Sequence, residues 1–492
     1  MSPKFYIYFF LVILTGLNSF SSTDTIPNRL SDSTEIKRSS GSNDSLINSY
    51  VQHPELLDSL KLKIRAIIIS GNSTTQDYII IREMALKENG YFTVEGLQQS
   101  ILNIYNLRLF LKVDILPIPV STNEIILNVD VKERWYIFPL PQAGMEDGEW
   151  SKKWLGLNLL WSNFRGRNET LLIQTKFLYN PSISAYYTVP WIGDNLHLGV
   201  TGGIGYSKTR NQSLLTLGEY NGTGTLSADE PNFDNIRFFT QLSLAKYYTR
   251  SFNIFTELDY NYLRVTQYAI NRTISPTGKD KYAGIGFGIN LDQRNIIEYS
   301  TRGYYLRTSY TRYGFIDKDI NYGIYNFEGQ SYIPFVFSKN FFITLASRIF
   351  TSLSAGNNIP YYNHVYLGYG DDYVRGWLKK AYEGEDKLTF YNEIRIPILN
   401  PRYINSGKLP VIKNMPFISD MELRHGLYGT IIFDAGSIWN KYQKFSKVRF
   451  MSGAGIGLNA VLPFGYVCRL EWSFPLTKPS VGQVVATLNA KF

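Results

Sequence analysis

Counted back from its last residue, the chain alternates. Phe492, Ala490, Leu488, Ala486 and Val484 share one parity; Lys491, Asn489, Thr487 and Gln483 share the other, with Val485 the exception. Side chains on a strand point to opposite faces with a period of two, so this segment reads as a strand with one oily and one wet side. The pattern recurs upstream, where Phe252, Ile254, Thr256, Leu258, Tyr260 and Tyr262 alternate with Asn253, Phe255, Glu257, Asp259, Asn261 and Leu263. A soluble core could bury Glu257 and Asp259 only with partners, because an unpaired buried charge is costly. A wall with lipid outside and water inside accommodates them. The terminal segment alone would also suit an ordinary half-buried strand.

Composition narrows the choice. Beyond the first residues there is no long uncharged apolar stretch, mean hydropathy is −0.16, and aromatics reach 15%, with 37 Tyr and 30 Phe. A transmembrane β-barrel reconciles these facts, since each strand needs only one apolar face and aromatic girdles sit at both interfaces. A terminal aromatic such as Phe492 on the lipid face fits the last strand of an outer-membrane barrel. A secreted soluble β-protein is the competing explanation. The start of the chain favours export: Lys4 precedes the apolar run Phe5–Leu17, and Asn18, Ser19, Ser21 and Ser22 follow. That is the layout of a signal peptide over 1–22, too short to span a membrane as a helix. The single Cys468 excludes an internal disulfide, and the net charge of +9 is spread along the chain without a basic block. Nucleic acid is therefore no expected partner.

From 23 to 61 the chain is rich in Ser, Asn, Asp and Thr, which reads as a disordered periplasmic linker. Between 62 and 134 the pattern changes. Lys63–Ile69 is a β-branched run ending at Gly71-Asn72. Gln76–Lys87 reads as a helix with Tyr78, Ile81 and Ala85 on one stripe. Thr93 N-caps a second helix carrying Val94, Leu97, Ile101 and Ile104, and strands follow at Val113–Leu116 and Glu124–Lys132. This β-α-α-β-β order resembles a POTRA module. Its opening strand and Gly-Asn turn, Leu109-Phe110 before Val113, and the closing Val129–Arg134 match in order. From 135 to 492 the chain is strand after strand. At roughly twenty to twenty-five residues per strand and its connection, about 360 residues hold about sixteen strands, an even number as single-chain barrels require.

The most specific signal is Gly368–Trp377, which reads GYGDDYVRGW. Val374-Arg375-Gly376-Trp377 resembles the VRGF/Y motif on the sixth extracellular loop of the outer-membrane assembly family that includes BamA and TamA, and Gly368, Gly370 and Asp371 fit the approach to it. Phe390–Pro397 and Ile432–Trp439 resemble the strands that follow. Asn163–Gly166 with Val189-Pro190-Trp191, and Asp292–Asn295 with Gly303, resemble earlier landmarks of that barrel. The resemblance covers 62–492.

Physical chemistry supports the motif independently. An Arg on a loop folded into a barrel needs carboxylates on the wall, because an unpaired guanidinium there loses solvation. Glu393 and Asp434 lie on strands following the loop, and the resemblance implies that they hold Arg375. Gly376 permits close backbone approach. Pro139 and Pro141 fall in Trp135–Met145, the expected first barrel strand, and lack N–H groups to pair with a neighbour. A weak seam between first and last strands, forming a lateral gate beside Phe492, is the hypothesis; prolines that merely end a linker are the alternative. Pro117 and Pro119 similarly blunt the edge of the POTRA sheet beyond Leu116.

No enzyme chemistry emerges. His53, His197, His364 and His425 lack metal-ligand spacing, Gly453-Ala-Gly455-Ile-Gly457 opens no helix, and no nucleophile elbow is present. No metal or other cofactor is expected. The resemblance implies a Gram-negative outer-membrane factor with its POTRA module in the periplasm, which inserts or folds β-barrel clients. Its partners would be outer-membrane lipid, unfolded clients, and periplasmic chaperones or accessory lipoproteins. A single POTRA module points to a specialised paralogue. Two alternatives remain open: a two-partner-secretion-type translocator exporting a chain through the lumen, and a passive porin.

Overall fold

The computed structural model describes residues 61–145, 150–193, 196–211, 213, 233–249, 251–268, 272–297, 299–338, 341–356, 359–368, 372–378, 382–405, 422–462, 467–476 and 482–487. The segments expected as signal peptide and linker, up to residue 60, and Gly370, Asp371 and Phe492 lie outside them. Two compact units emerge. One holds the described residues up to Ile68 with Met84–Leu102 and Ile115–Val129; the other holds Ile69–Glu83, Asn103–Asp114 and the chain from Asp130.

The N-terminal module runs β1 (Lys63–Ser70), α1 (Asp77–Glu83), α2 (Val94–Tyr105), β2 (Phe110–Pro119) and β3 (Glu124–Glu133), with sheet order β1-β3-β2. Thr93 caps α2: its Oγ1 accepts the Gly96 N–H at 3.1 Å, supplying one of the partners a helix start lacks. Two details differ from the sequence reading. Helix α1 stops at Glu83 because the Ala85 N–H, which would continue it, donates to Ser100 Oγ at 3.0 Å. In so short a helix the core takes Ile79 and Ile80, both fully buried, and leaves Tyr78 and Ile81 46% and 40% exposed. Strand β2 also continues through Pro117 and Pro119, tolerable on an edge strand where no neighbour requires their N–H groups.

The closing segment of this module carries a dense carboxylate site. Glu133 accepts hydrogen bonds from Thr75 N (2.6 Å), Thr75 Oγ1 (2.5 Å), Thr74 N (2.9 Å) and Ser73 Oγ (2.9 Å). Burial pushes its pKa up, but donation from Thr75, Ser73 and Thr74 outweighs that and holds it below the usual carboxylate value.

From β4 (Ile137–Met145) to β21 (Gln483–Thr487) the remaining strands form a sixteen-stranded antiparallel sheet in chain order. Among the described residues a two-stranded ribbon of β15 (Val365–Leu367) and β16 (Tyr382–Gly384) stands apart from it. The protein is thus mostly β, a sixteen-stranded transmembrane barrel preceded in the chain by a POTRA-type module. Strand β10 (Phe252–Val265) shows why the alternation works. Ile254 and Leu258 face outward, while Asn253, Phe255 and Asn261 are buried inside. Inward charges find partners across the wall: Glu257 pairs with Arg307 at 3.1 Å, and Asn261 Oδ1 accepts Arg237 Nε at 3.0 Å. Phe287, Phe335, Ile456, Trp472 and Val484 belong to the outward set, all exposed in the isolated chain, as lipid-facing residues must be. Among the described residues no helix is long and apolar enough to cross a membrane, which leaves crossing by strands untouched.

Candidate functional site: a loop clamped in the lumen and the seam beside it

Strands β14 (Phe341–Gly356) and β17 (Asp386–Asn405) are adjacent in the sheet, and the chain between them carries the motif. The ribbon pairs Val365 with Gly384 and Leu367 with Tyr382, holding the two stems of this loop together. At its tip Val374–Trp377 forms a turn, with the Trp377 N–H donating to Val374 O at 2.8 Å. Gly376 sits at φ +93°, a region disfavoured for other residues. A Cβ there would stand 2.6 Å from the Phe474 carbonyl carbon. Val374 and Trp377 are buried with Leu367 and Met451, anchoring the turn by apolar packing.

The Arg375 side chain is fully buried. Its Nε and Nη2 donate to Asp434 Oδ2 and Oδ1 at 2.6 and 2.7 Å, a bidentate fork, and Nη1 donates to Glu393 Oε1 at 2.6 Å. Nη1 also reaches Glu471 Oε1 at 3.1 Å, and the Arg375 backbone N–H approaches Asp434 Oδ2 at 3.2 Å. The structure therefore brings Arg375, Glu393 and Asp434 together and adds residues that sequence reading missed. Arg395 donates to Glu393 Oε2 at 2.8 Å, and Arg469 donates to Glu471 Oε1 at 3.1 Å. The Arg395 guanidinium also lies 4.1 Å from the Tyr299 ring centroid. Three guanidinium groups thus face three carboxylates, and the buried cluster is neutral. Neutrality matters, since isolated ions here would cost several kcal/mol each while a fully paired set repays most of that. Glu393-x-Arg395 and Arg469-x-Glu471 were visible as charges at period two within apolar strands, a pattern that marks one inward face.

The loop is tied to five consecutive strands. Glu393 lies on β17, Asp434 on β18 (Glu422–Trp439), Glu471 on β20 (Val467–Pro475). On β19 (Met451–Val461), Ser452 O accepts the Trp377 indole N–H at 3.0 Å, and a Cβ on Gly453 would fall 1.9 Å from Arg375 O. On β21, Gln483 acts as a peptide mimic: its Oε1 accepts Leu378 N–H at 2.9 Å and its Nε2 donates to Leu378 O at 3.1 Å. The lumen side of the C-terminal wall is clamped from β17 to β21.

Pro139 and Pro141 occupy a different place, at the end of the sheet. Ser162 N donates to Tyr136 O at 2.8 Å, and β4 pairs Ile137 with Trp161 of β5 (Lys153–Phe164). In an antiparallel ladder the residue whose C=O faces its partner also turns its N–H there, and the next residue turns both away. Tyr136, Phe138, Leu140 and Gln142 therefore spend their main chain on β5. Ile137, Pro139, Pro141 and Ala143 turn theirs to the other edge, which is free of a partner strand among the described residues. Strand β21 is the other end of the sheet, holding β20 by the five pairs from Arg469–Thr487 to Ser473–Gln483.

Known proteins share this organisation. The Omp85 superfamily domain matches residues 163–486, well over half of the chain. The chain belongs to the Omp85 superfamily. A POTRA domain, described as a surface antigen variable number repeat, matches residues 62–134. The outer membrane protein assembly factor BamA of Neorickettsia risticii (strain Illinois) is 42% identical over 74 residues, 15% of this chain and 10% of that protein. The chain thus spans a tenth of the length of that curated relative. BamA from Haemophilus ducreyi lacking POTRA domains 1–3 superposes with a TM-score of 0.58 at 16% identity, over 87% of this chain and 83% of that one. CdiB from Escherichia coli gives a TM-score of 0.57 at 12% identity, over 91% and 82%. CdiB from Acinetobacter baumannii gives 0.55 at 13% identity, over 90% and 79%. At these identities the superpositions establish the fold alone. Omp85 proteins are outer-membrane β-barrels that act in assembly or translocation.

Proposed function

We propose that this Omp85 protein inserts or folds β-barrel clients in the outer membrane through a lateral gate between its first and last barrel strands. The observation that carries this reading is the contrast between a clamped wall and an impoverished seam. Six buried charges and the Gln483 pair stiffen β17–β21 from inside. The free edge of β4, meanwhile, lacks two N–H donors at Pro139 and Pro141. Backbone groups in lipid must be paired, so the join with fewest available bonds is the one that opens at least cost. Strand exchange there would be driven by pairing and needs no nucleotide. Outer-membrane lipid and unfolded clients are the partners this implies, with the POTRA module in the periplasm as the contact for chaperones or accessory lipoproteins.

Export through the lumen, as in a two-partner-secretion-type translocator, is the second reading, and the likeness to CdiB keeps it in view. The loop held inside the wall favours the first, because a passing chain would have to displace a guanidinium held by three carboxylates. A disulfide joining Trp135–Met145 to Val484–Phe492 tests the gate: client insertion should stop, and full activity in the locked protein would dismiss it. Comparing outer-membrane with secreted protein levels in a deletion strain separates the two readings, and single-channel conductance separates both from a porin.

A further inference from the structure

Resting on that reading of the seam, the free edge of β4 can be counted group by group. An incoming strand forms a complete two-bond pair only opposite a residue that offers both N–H and C=O to the edge. Pro139 and Pro141 offer C=O alone. Ile137 offers its N–H, but its carbonyl already accepts the indole Nε1–H of Trp135, a side chain that folds back along the same edge. Ala143 and Met145 offer both groups, by the same parity. From its start to Pro141 this edge therefore contains no complete pairing site.

We infer that Trp135, Pro139 and Pro141 guard the edge of the first barrel strand, so that an incoming client strand pairs with β4 only at Ala143 and Met145. A client residue set opposite either proline would donate its N–H to the proline carbonyl and leave its own C=O facing a ring without a proton. In lipid that carbonyl has no water to turn to. Guarding by prolines and by capped backbone groups is how exposed sheet edges avoid indiscriminate pairing. Here it selects clients whose strand engages over a short segment and releases readily.

The test uses the full-length protein in lipid vesicles and a twelve-residue peptide of alternating leucine and threonine ending in phenylalanine. Amide hydrogen exchange along β4 is read with and without peptide. In the native protein the peptide should protect the Ala143 and Met145 amides and leave Ile137 exchanging. A Trp135→Phe/Pro139→Ser/Pro141→Ser variant restores two donors and one acceptor on a side that β5 does not use, so the barrel should keep its heat-modifiable gel mobility. In that variant protection should extend to Ile137 and to the amides introduced at 139 and 141, and peptide binding should tighten at least tenfold, as one to two net hydrogen bonds imply. Protection of Ile137 in the native protein, or unchanged affinity with protection still confined to Ala143 and Met145 in the variant, overturns the guard while sparing entry at the seam. Peptide that protects no β4 amide in either protein overturns both.

Discussion

Arg375→Ala would remove one positive charge from a cluster of three cations and three anions and leave it with a net buried charge of −1. The loss falls unevenly. Glu393 keeps Arg395 at 2.8 Å and Glu471 keeps Arg469 at 3.1 Å, whereas Asp434 has no other cationic partner among the described residues. Breaking a buried pair by removing one partner costs about 3–5 kcal/mol, and the fully buried Arg375 belongs in that class. Asp434 loses a bidentate fork, so the coupling energy in a double-mutant cycle of Arg375→Ala with Asp434→Ala should be about 2–3 kcal/mol. The cycle with Glu393→Ala should give less, because a single bond to Arg375 is lost there in place of a fork. The cycle with Glu471→Ala should be weakest, its 3.1 Å bond being shared with Arg469. Arg375→Lys should rescue little, since a point charge cannot fork onto Asp434 while also reaching Glu393. Urea unfolding in lipid vesicles, followed by tryptophan fluorescence, measures each corner. An Arg375→Ala protein within about 0.5 kcal/mol of the parent, or an Asp434 coupling no larger than that of Glu471, would refute this account of the clamp.

Three further outcomes are expected. Gln483→Leu removes both hydrogen bonds to Leu378, worth about 1 kcal/mol each, so hydrogen-exchange protection of the Leu378 amide should fall about tenfold or more. Gly376→Ala forces a side chain into φ +93° and against the Phe474 backbone; unfolding measurements should show a loss of at least about 1–3 kcal/mol from backbone strain. Glu133 titrates lower in the folded protein than in the unfolded chain, so its contribution is present above its ordinary value, about 4.3, and is lost as pH falls through its folded value. Protection factors of the Thr74 and Thr75 amides should drop over that acid window in the native protein and stay flat in Glu133→Gln.

Much of the fold was legible because two different periodicities are written in the chain. Strand alternation needs only nearest neighbours, and the wall from β4 to β21 repeats it. Helix α1 shows where local pattern gives out. Tyr78, Ile81 and Ala85 form a stripe on paper, yet in a helix of seven residues the side chains that end up buried are Ile79 and Ile80. The α1 end was equally hidden, because its stop is a hydroxyl on Ser100, fifteen residues away from Ala85.

The candidate site divides along the same line. Alternation and the turn chemistry of Gly376 are properties of short segments, and the length of the alternating stretch sets about sixteen strands; the resemblance of the Arg375 motif to its family is what pointed to Glu393 and Asp434 as its acids. Only tertiary structure could decide that Glu471, 96 residues from Arg375, closes the cluster, that Arg395 and Arg469 make it neutral, and that Gln483 ties the loop to the last strand. It also decided which way Pro139 and Pro141 turn. A proline's missing N–H is certain from the residue name, but whether it faces a neighbour or an open seam depends on strand register, and register is settled by the whole sheet.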